Sequence, residues 1–384
     1  MTDDANAPLP DRVEGAPHPR ETLRLIGQGA AERGFLEAFN TGRLHHGWLI
    51  TGPRGVGKAT LAWRIARFLL ATPEGDDGGL FGDAPPQPTT LDIDPEHPVA
   101  RRIIAGSDPG LYLVRRWGAG SSDRDREKNF EEGKFSQDIR VSEIRGLARF
   151  IHLSATEGGR RVVIVDAADE MNTQAANALL KMLEEPPART TLLLVSHQPS
   201  RLLPTIRSRC RELRLAPLDP EGMAEALAQA GVDPGPDTAA LAELSGGSVG
   251  EAVRLMNLGG LQIYAELVAI FKGLPQPDRG RALKLAEAAA ARGGEEKLDL
   301  LIWLVDLFLS RLARSGALGA PRVEAAPGEA DLFTRLAPHA HAGRAWADCA
   351  QEVGARSRHA RAVNLDPAAL VLDTVFKIQQ TAAG

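Results

Sequence analysis

Cysteine is nearly missing from this 384-residue chain: only Cys210 and Cys349 are present. Two cysteines exclude a disulfide scaffold and a cysteine-rich zinc site within one chain, and they suit a reducing compartment. Lysine is also scarce, with eight among 45 basic residues, the rest being arginine. No basic excess exists, since 50 acidic residues give a net charge of −5. A free-standing nucleic-acid binder displaces counterions with such an excess, so any DNA contact here is local or shared with partners. Long apolar runs are missing too. The most apolar stretch, Leu298 to Leu312, is interrupted by Asp299, Asp306 and Arg311, which excludes a spanning helix of ~18 apolar residues. The first residues, with Asp3 and Asp4, lack a basic-then-apolar signal pattern. We therefore expect a cytoplasmic protein without a membrane partner.

What is present reads as α/β followed by helix. Trp48-Leu49-Ile50-Thr51, Val162 to Val165 and Leu192 to Val195 are short buried strands. Between and after them, apolar residues recur at helical spacing, as in Leu61, Ile65, Phe68 and Leu69, or Ala175, Ala176, Leu179, Leu180 and Leu183. Such alternation predicts a parallel sheet covered by helices. Four parts are expected. Residues 1–20, polar and proline-rich, read as a disordered N-terminus. Residues 21–217 form the α/β domain, with an insertion over about 71–135 rich in Gly, Asp, Pro and then Arg. Residues 218–275 form a small helical domain, with Ser248 to Glu251 as a capping box. Residues 276–384 form an all-helical domain. Its stripe Leu298, Leu301, Ile302, Val305, Phe308, Leu309 and Leu312 offers more apolar surface than one neighbouring helix needs, so oligomerisation is assigned there. Asp366-Pro367 starts its last helix.

Between the first strand and its helix lies Gly52-Pro53-Arg54-Gly55-Val56-Gly57-Lys58, which fits the phosphate-loop pattern GxxxxGK. Its glycines let backbone N–H groups converge on an anion, the helix adds its N-terminal dipole, and Lys58 would reach the β- and γ-phosphates. The bland alternative is a glycine-rich strand–helix turn that holds nothing. The motif wants Ser or Thr next, as a Mg²⁺ ligand; here it is Ala59, and Thr60 points ~100° away along the helix. Asp166 ends a Walker-B-like strand, placed to hold Mg²⁺ through water. The residue after it is Ala167, where a hydrolysing enzyme of this architecture has a water-polarising glutamate. Asp169 and Glu170 read as N-terminal charges on the following helix.

Together with Ile26-Gly27-Gln28, the segment Asn177-Ala178-Leu179-Leu180-Lys181-Met182-Leu183-Glu184-Glu185-Pro186-Pro187 and Ser208-Arg209-Cys210, these motifs resemble the AAA+ clamp-loader family of the bacterial replicative polymerase. The resemblance runs from about residue 22 to the C-terminus and is densest from 160 to 215. It implies an AAA+ P-loop domain, a helical lid and an all-helical collar. Its partners would be the other ring subunits (gamma/tau and delta), the sliding clamp and primer–template DNA. The resemblance makes Gly52 to Lys58, Ala59, Thr60 and Asp166 the nucleotide-side residues, and Arg209 an arginine finger given to a neighbour's site. A family motor would have Ser/Thr at 59, Glu at 167 and Arg near 250; this chain has Ala59, Ala167 and Gly250. ATP is thus expected to be held weakly or vestigially, with Mg²⁺ poorly held and little intrinsic ATPase. An ATP-hydrolysing motor subunit is the alternative, and an unrelated phosphate-loop kinase a third. The family's four-cysteine module is missing, so no zinc is expected. Ser196 or His197 stands where the family keeps a polar sensor, or is only a strand-end residue. His45 and His46 read as structural, and Cys210 as core.

Overall fold

The computed structural model describes residues 8–72, 87–153, 159–233, 235–291 and 293–384. Two compact units share the chain: Met1–Val232 with Ser248–Gly250, and Asp233–Gly247 with Glu251–Gly384.

The first unit is built on α1 (Gly29–Asn40), β1 (Gly47–Thr51), α2 (Lys58–Ala71), α3 (Pro98–Ile104), β2 (Leu111–Arg115), α4 (Asp123–Glu131), α5 (Val141–Leu153), β3 (Arg161–Asp166), α6 (Thr173–Glu184), β4 (Thr190–Ser196), α7 (Pro204–Arg207), β5 (Arg211–Arg214) and α8 (Pro220–Gln229). The five strands lie in the order β2-β3-β4-β1-β5, and every pair is parallel. Parallel strands need crossovers, and the crossovers cover both faces. This is why β1, β3 and β4 read as near-continuous apolar runs, buried almost throughout. One face packs Phe35, Trp48, Leu61, Ile65 and Phe68 between α1, α2 and the sheet. The other packs Ile144, Leu147, Ala175, Leu179 and Leu183 from α5 and α6. The α/β expectation, with a parallel sheet covered by helices, holds.

Two readings of the sequence need correction. Residues 71–135 are more than an insertion, because Leu111–Arg115 is the edge strand of the sheet and α3 packs on α2. The strand hides in sequence because an edge is only half covered: four of its five residues are partly exposed. Within the expected disordered stretch 1–20, the described residues 8–20 pack against the first unit. Leu9 and His18 are buried, and His18 sits edge-on to Trp63 with ring centroids 5.7 Å apart.

The second unit is helical: α9 (Thr238–Ser245), α10 (Val249–Asn257, whose first turn groups with the first unit), α11 (Gly260–Phe271), α12 (Arg279–Ala289), α13 (Glu295–Leu318), α14 (Glu329–Leu336), α15 (Ala340–Ala362) and α16 (Pro367–Ala383). Asp366 caps α16 through the Ala369 N–H at 2.9 Å, with Pro367 as its first residue, as the sequence suggests. The division differs from a separate domain over 218–275, since α8 groups with the sheet and α9 and α11 with the C-terminal helices.

The apolar stripe on α13 is largely consumed inside the chain. Leu298, Leu301, Val305, Phe308, Leu309 and Leu312 are buried, and only Ile302 of the stripe is partly exposed. Their cover comes mainly from α15, α11 and α14. The stripe is therefore not the surplus surface that its sequence suggests. No described helix is long and apolar enough to cross a membrane.

Arg311, which breaks the apolar run in sequence, lies inside this core. Its Nε donates to Glu329 at 2.8 Å and its second terminal nitrogen at 3.0 Å; Glu243 takes the other terminal nitrogen. Glu329 is fully buried and also accepts from the Tyr264 hydroxyl and the Ala325 N–H. Removing the cation leaves a buried carboxylate with neutral donors only, which typically costs about 3–5 kcal/mol. Arg311→Leu should destabilise the second unit by that order, measured by urea unfolding. Arg311→Leu with Glu329→Leu should recover much of the loss. A single variant within about 1 kcal/mol of the parent would show that the pair is not needed.

Candidate functional site

The carboxyl ends of the parallel strands collect the polar residues. Register places Thr51 beside Ser196, and Asp166 beside Arg115. In open α/β sheets ligands bind at this edge. The loop Gly52 to Gly57 follows β1 here and delivers Lys58 as the first residue of α2. Gly52, Gly55 and Gly57 have φ of 142°, 76° and 98°, values that L side chains resist. Gly55 is also crowded, because a Cβ there would run into Ser248 Oγ and stand 3.0 Å from Gly250 Cα.

Lys58 is buried, and its ammonium donates to the carbonyl oxygens of Gly52, at 2.8 Å, and Pro53. Burial pushes its pKa down to about 8 against the opposing pull of Asp166 and Asp169. Asp166 moves the other way, to about 7, through burial first and then repulsion from Asp11 and Glu170, with Lys58 opposing. Ala59 packs against the apolar core beside the sheet and has no hydroxyl to offer. Thr60, one residue on, is partly buried on α2.

Neighbouring segments close on this loop. Ser248 donates its hydroxyl to the Arg54 carbonyl at 2.7 Å, and the Gly250 N–H donates to the Gly55 carbonyl at 3.1 Å. Sequence reasoning missed the N-terminal contribution. Asp11 accepts from Arg115 at 2.8 Å and pairs with His18 at 3.2 Å. Burial raises the Asp11 pKa, but the His18 hydrogen bond and the Arg115 guanidinium outweigh it and hold the carboxyl at about 2. Val13 stands beside Gly250. Asp169 is not a helix charge. It is buried, and its carboxylate accepts the N–H groups of His197 and Gln198 at 2.9 and 3.2 Å, fixing the end of β4. Glu170 pairs with Arg116 at 2.8 Å. Ser196 Oγ and His197 Nδ1 are buried at this edge without hydrogen-bond partners among the described residues. Burial first, then the charge of Lys58, drives the His197 pKa down to about 4, so it is neutral near pH 7.

Arg209 lies elsewhere. It follows α7 and precedes β5, whose Arg211 is paired with Trp48 near the start of β1. Its guanidinium bonds Glu184 at 2.8 Å and the Thr205 carbonyl at 3.0 Å, and about a third of the side chain is exposed. It thus occupies the edge of the sheet opposite to Lys58. His46 receives a structural role, bonded to the Leu183 carbonyl at 3.0 Å. Cys210 is partly buried in core, its thiol pushed up to about 12 by burial.

A family model described as DNA polymerase III, delta subunit, matches residues 27–219. The chain belongs to the clamp-loader family, on its delta-prime side. It is 31% identical to DNA polymerase III subunit delta' of Escherichia coli over 310 residues, 79% of this chain and 81% of that protein. Over 233 residues it is 36% identical to subunit delta' of Pseudomonas aeruginosa, which covers 60% of this chain and 61% of that protein. The match to the Bacillus subtilis subunit delta' is 31% identical and covers 50% of this chain and 48% of that one. This chain therefore spans about three fifths and about half of those last two relatives. Among solved structures, a gamma subunit-related protein of Thermotoga maritima aligns over 91% of this chain and all of that one at 16% identity and a TM-score of 0.34, too loose a likeness to argue from.

The raised Asp166 pKa makes a stability prediction. A carboxyl whose folded pKa exceeds its unfolded value stabilises the fold below the unfolded value, near pH 4, and that contribution is lost as pH rises through about 7. Asp166→Asn removes the ionisation. The parent should lose on the order of 3 kcal/mol between pH 5 and 7.5 relative to the variant, read by thermal melts across that range. Parallel curves would mean that Asp166 ionises at no cost.

Proposed function

We propose that the chain is a delta-prime-type subunit of a bacterial clamp loader. It assembles with gamma/tau and delta subunits in a cytoplasmic hetero-oligomeric ring that places the sliding clamp on primer–template DNA. Its contribution to chemistry is Arg209, given to a neighbour's ATP, and its own nucleotide site turns over little or no ATP. One observation carries this reading: Arg209 and the phosphate loop stand at opposite edges of one sheet. An arginine there has no access to its own chain's phosphates. It is available to another subunit, where a planar, permanently charged guanidinium suits developing phosphate charge.

The defects at the chain's own site support the same reading. No hydroxyl follows Lys58, Ala167 follows Asp166, and glycine stands at 250. ATP, if it binds through Gly52, Pro53, Arg54, Gly55, Val56, Gly57, Lys58, Ala59 and Thr60 with Asp166, would have to take Lys58 from the two carbonyls it now bonds. The complete GxxxxGK loop favours the second reading, a gamma/tau-type motor. Residues 276–384 are proposed to join the related subunits on the family resemblance alone, since the α13 stripe is consumed inside the chain.

Two measurements separate these readings. The purified chain should show negligible ATP turnover, unchanged by Lys58→Ala; turnover that vanishes with that substitution would move it to the motor class. In a reconstituted loader, Arg209→Ala should reduce DNA- and clamp-stimulated ATPase by a factor set by how many sites face this subunit. Arg209→Lys should also impair it, because lysine lacks the planar fork. Equal rates at equal assembly by size exclusion would make Arg209 an ordinary surface arginine.

A further inference from the structure

Arg209 is gripped on two sides within its own chain. One terminal nitrogen of the guanidinium donates to the Thr205 carbonyl at 3.0 Å, and the other lies 2.8 Å from the Glu184 carboxylate. The two acceptors come from different segments, α7 and the last residue of α6. Together they fix the plane of the guanidinium as well as its position, because its N–H donors form a rigid fork. Among the described residues the donors left over have no further partner, and 36% of the side chain is exposed. The fork is therefore held from one side and open on the other.

The end of α6 is itself pinned where Glu184 meets Arg209. The Leu183 carbonyl belongs to the last turn, where carbonyls lack an intrahelical partner, and it accepts from His46 Nε2 at 3.0 Å. A Cβ at Gly47 would stand 2.9 Å from Leu183 Cδ2 and 3.1 Å from the Arg209 carbonyl oxygen. The start of β1 thus touches both the helix end and the Arg209 backbone, with no space for a larger residue. Local forces do not favour an acid at 184, since a carboxylate in the last turn opposes the helix dipole. Nor does the pair add much to the fold, because Glu184 is 49% exposed and an ion pair in water contributes little. What the carboxylate does at this place is to orient a cation.

We propose that Glu184 is a positioning residue for Arg209. The inference rests on the reading that Arg209 serves a neighbour's ATP, and it adds that the guanidinium is set in place before the neighbour's phosphate arrives. A free arginine side chain loses much rotamer freedom when it is immobilised. One that is already held has less to lose, so more of its interaction with developing phosphate charge appears in the rate. A latch that withholds Arg209 would need a stronger hold than this. An exposed ion pair is too weak to keep a cation from a polyphosphate, and the open side of the fork is free to meet one.

The test is the clamp- and DNA-stimulated ATPase of a loader reconstituted with the full chain, at equal assembly by size exclusion. Glu184→Ala should lower kcat several-fold and leave KM for ATP near the parent's, because the arginine acts on the transition state. Glu184→Gln keeps an acceptor oxygen and should recover most of the rate. Neither substitution should move the melting temperature of the chain appreciably. In an Arg209→Ala background, Glu184→Ala should have no further effect, a result that a merely structural role at the end of α6 would not produce. A parent rate, or a faster one, with Glu184→Ala where Arg209→Ala alone is slow overturns the inference and leaves the proposed function standing. So does a further fall in the double variant. A parent rate with Arg209→Ala overturns both.

Discussion

A buried ammonium organises the carboxyl edge of this sheet. Lys58 sits at the start of α2, out of water, and its charge must be met there. Two main-chain carbonyls meet it, those of Gly52 and Pro53. They can turn inward only because the loop passes through left-handed glycine conformations. Asp166 faces the same charge across the edge, yet is crowded by Asp11 and Glu170, so its proton is held to about pH 7. The site thus balances one cation against carbonyl dipoles and a carboxylate that is partly neutral at working pH. An arriving polyphosphate would have to outbid the carbonyls for Lys58 without a hydroxyl at 59 to bring Mg²⁺ with it.

That balance reaches the N-terminal stretch and the edge strand through one residue. Arg115 ends β2, in register with Asp166, and holds Asp11. Asp11 in turn holds His18, which packs on Trp63 of α2. The chain closes a loop of contacts from strand to segment to helix around the site. A groove along β2 shares Arg115 and Trp63 with that loop. The stability of the N-terminal stretch and the shape of the groove therefore rest on the same two side chains.

The sequence made the centre of the sheet legible because parallel strands buried on both faces must be continuous apolar runs, and β1, β3 and β4 are. The phosphate loop was legible for a similar local reason, since glycine spacing and a following lysine are contiguous. Pairings between distant residues were not. Asp11 and Arg115 are 104 residues apart, and neither carries a local sign of the other. The edge strand escaped because half-exposed strands tolerate polar neighbours, so Leu111–Arg115 sits unmarked in an arginine-rich stretch. Arg311 interrupts the apolar run in sequence, but nothing local shows that Glu329 and Glu243 follow it into the core.

The placement of Arg209 can be followed to the same topology. In a parallel sheet the loops at the two edges are separated by the whole strand length, about 13–17 Å for a five-residue strand at 3.3 Å per residue. Lys58 belongs to the edge where β1 ends, and Arg209 to the edge where β1 and β5 begin. No side-chain rotation spans that distance. Mutations at the phosphate loop therefore have no direct route to Arg209, and loss of nucleotide handling on one edge leaves the presentation of an arginine on the other intact. The sheet has to be built for the second to exist; the first does not have to work. On the reading proposed above, a chain of this architecture would lose catalysis of its own and still keep a part in a neighbour's, because the two would depend on opposite ends of the same strands.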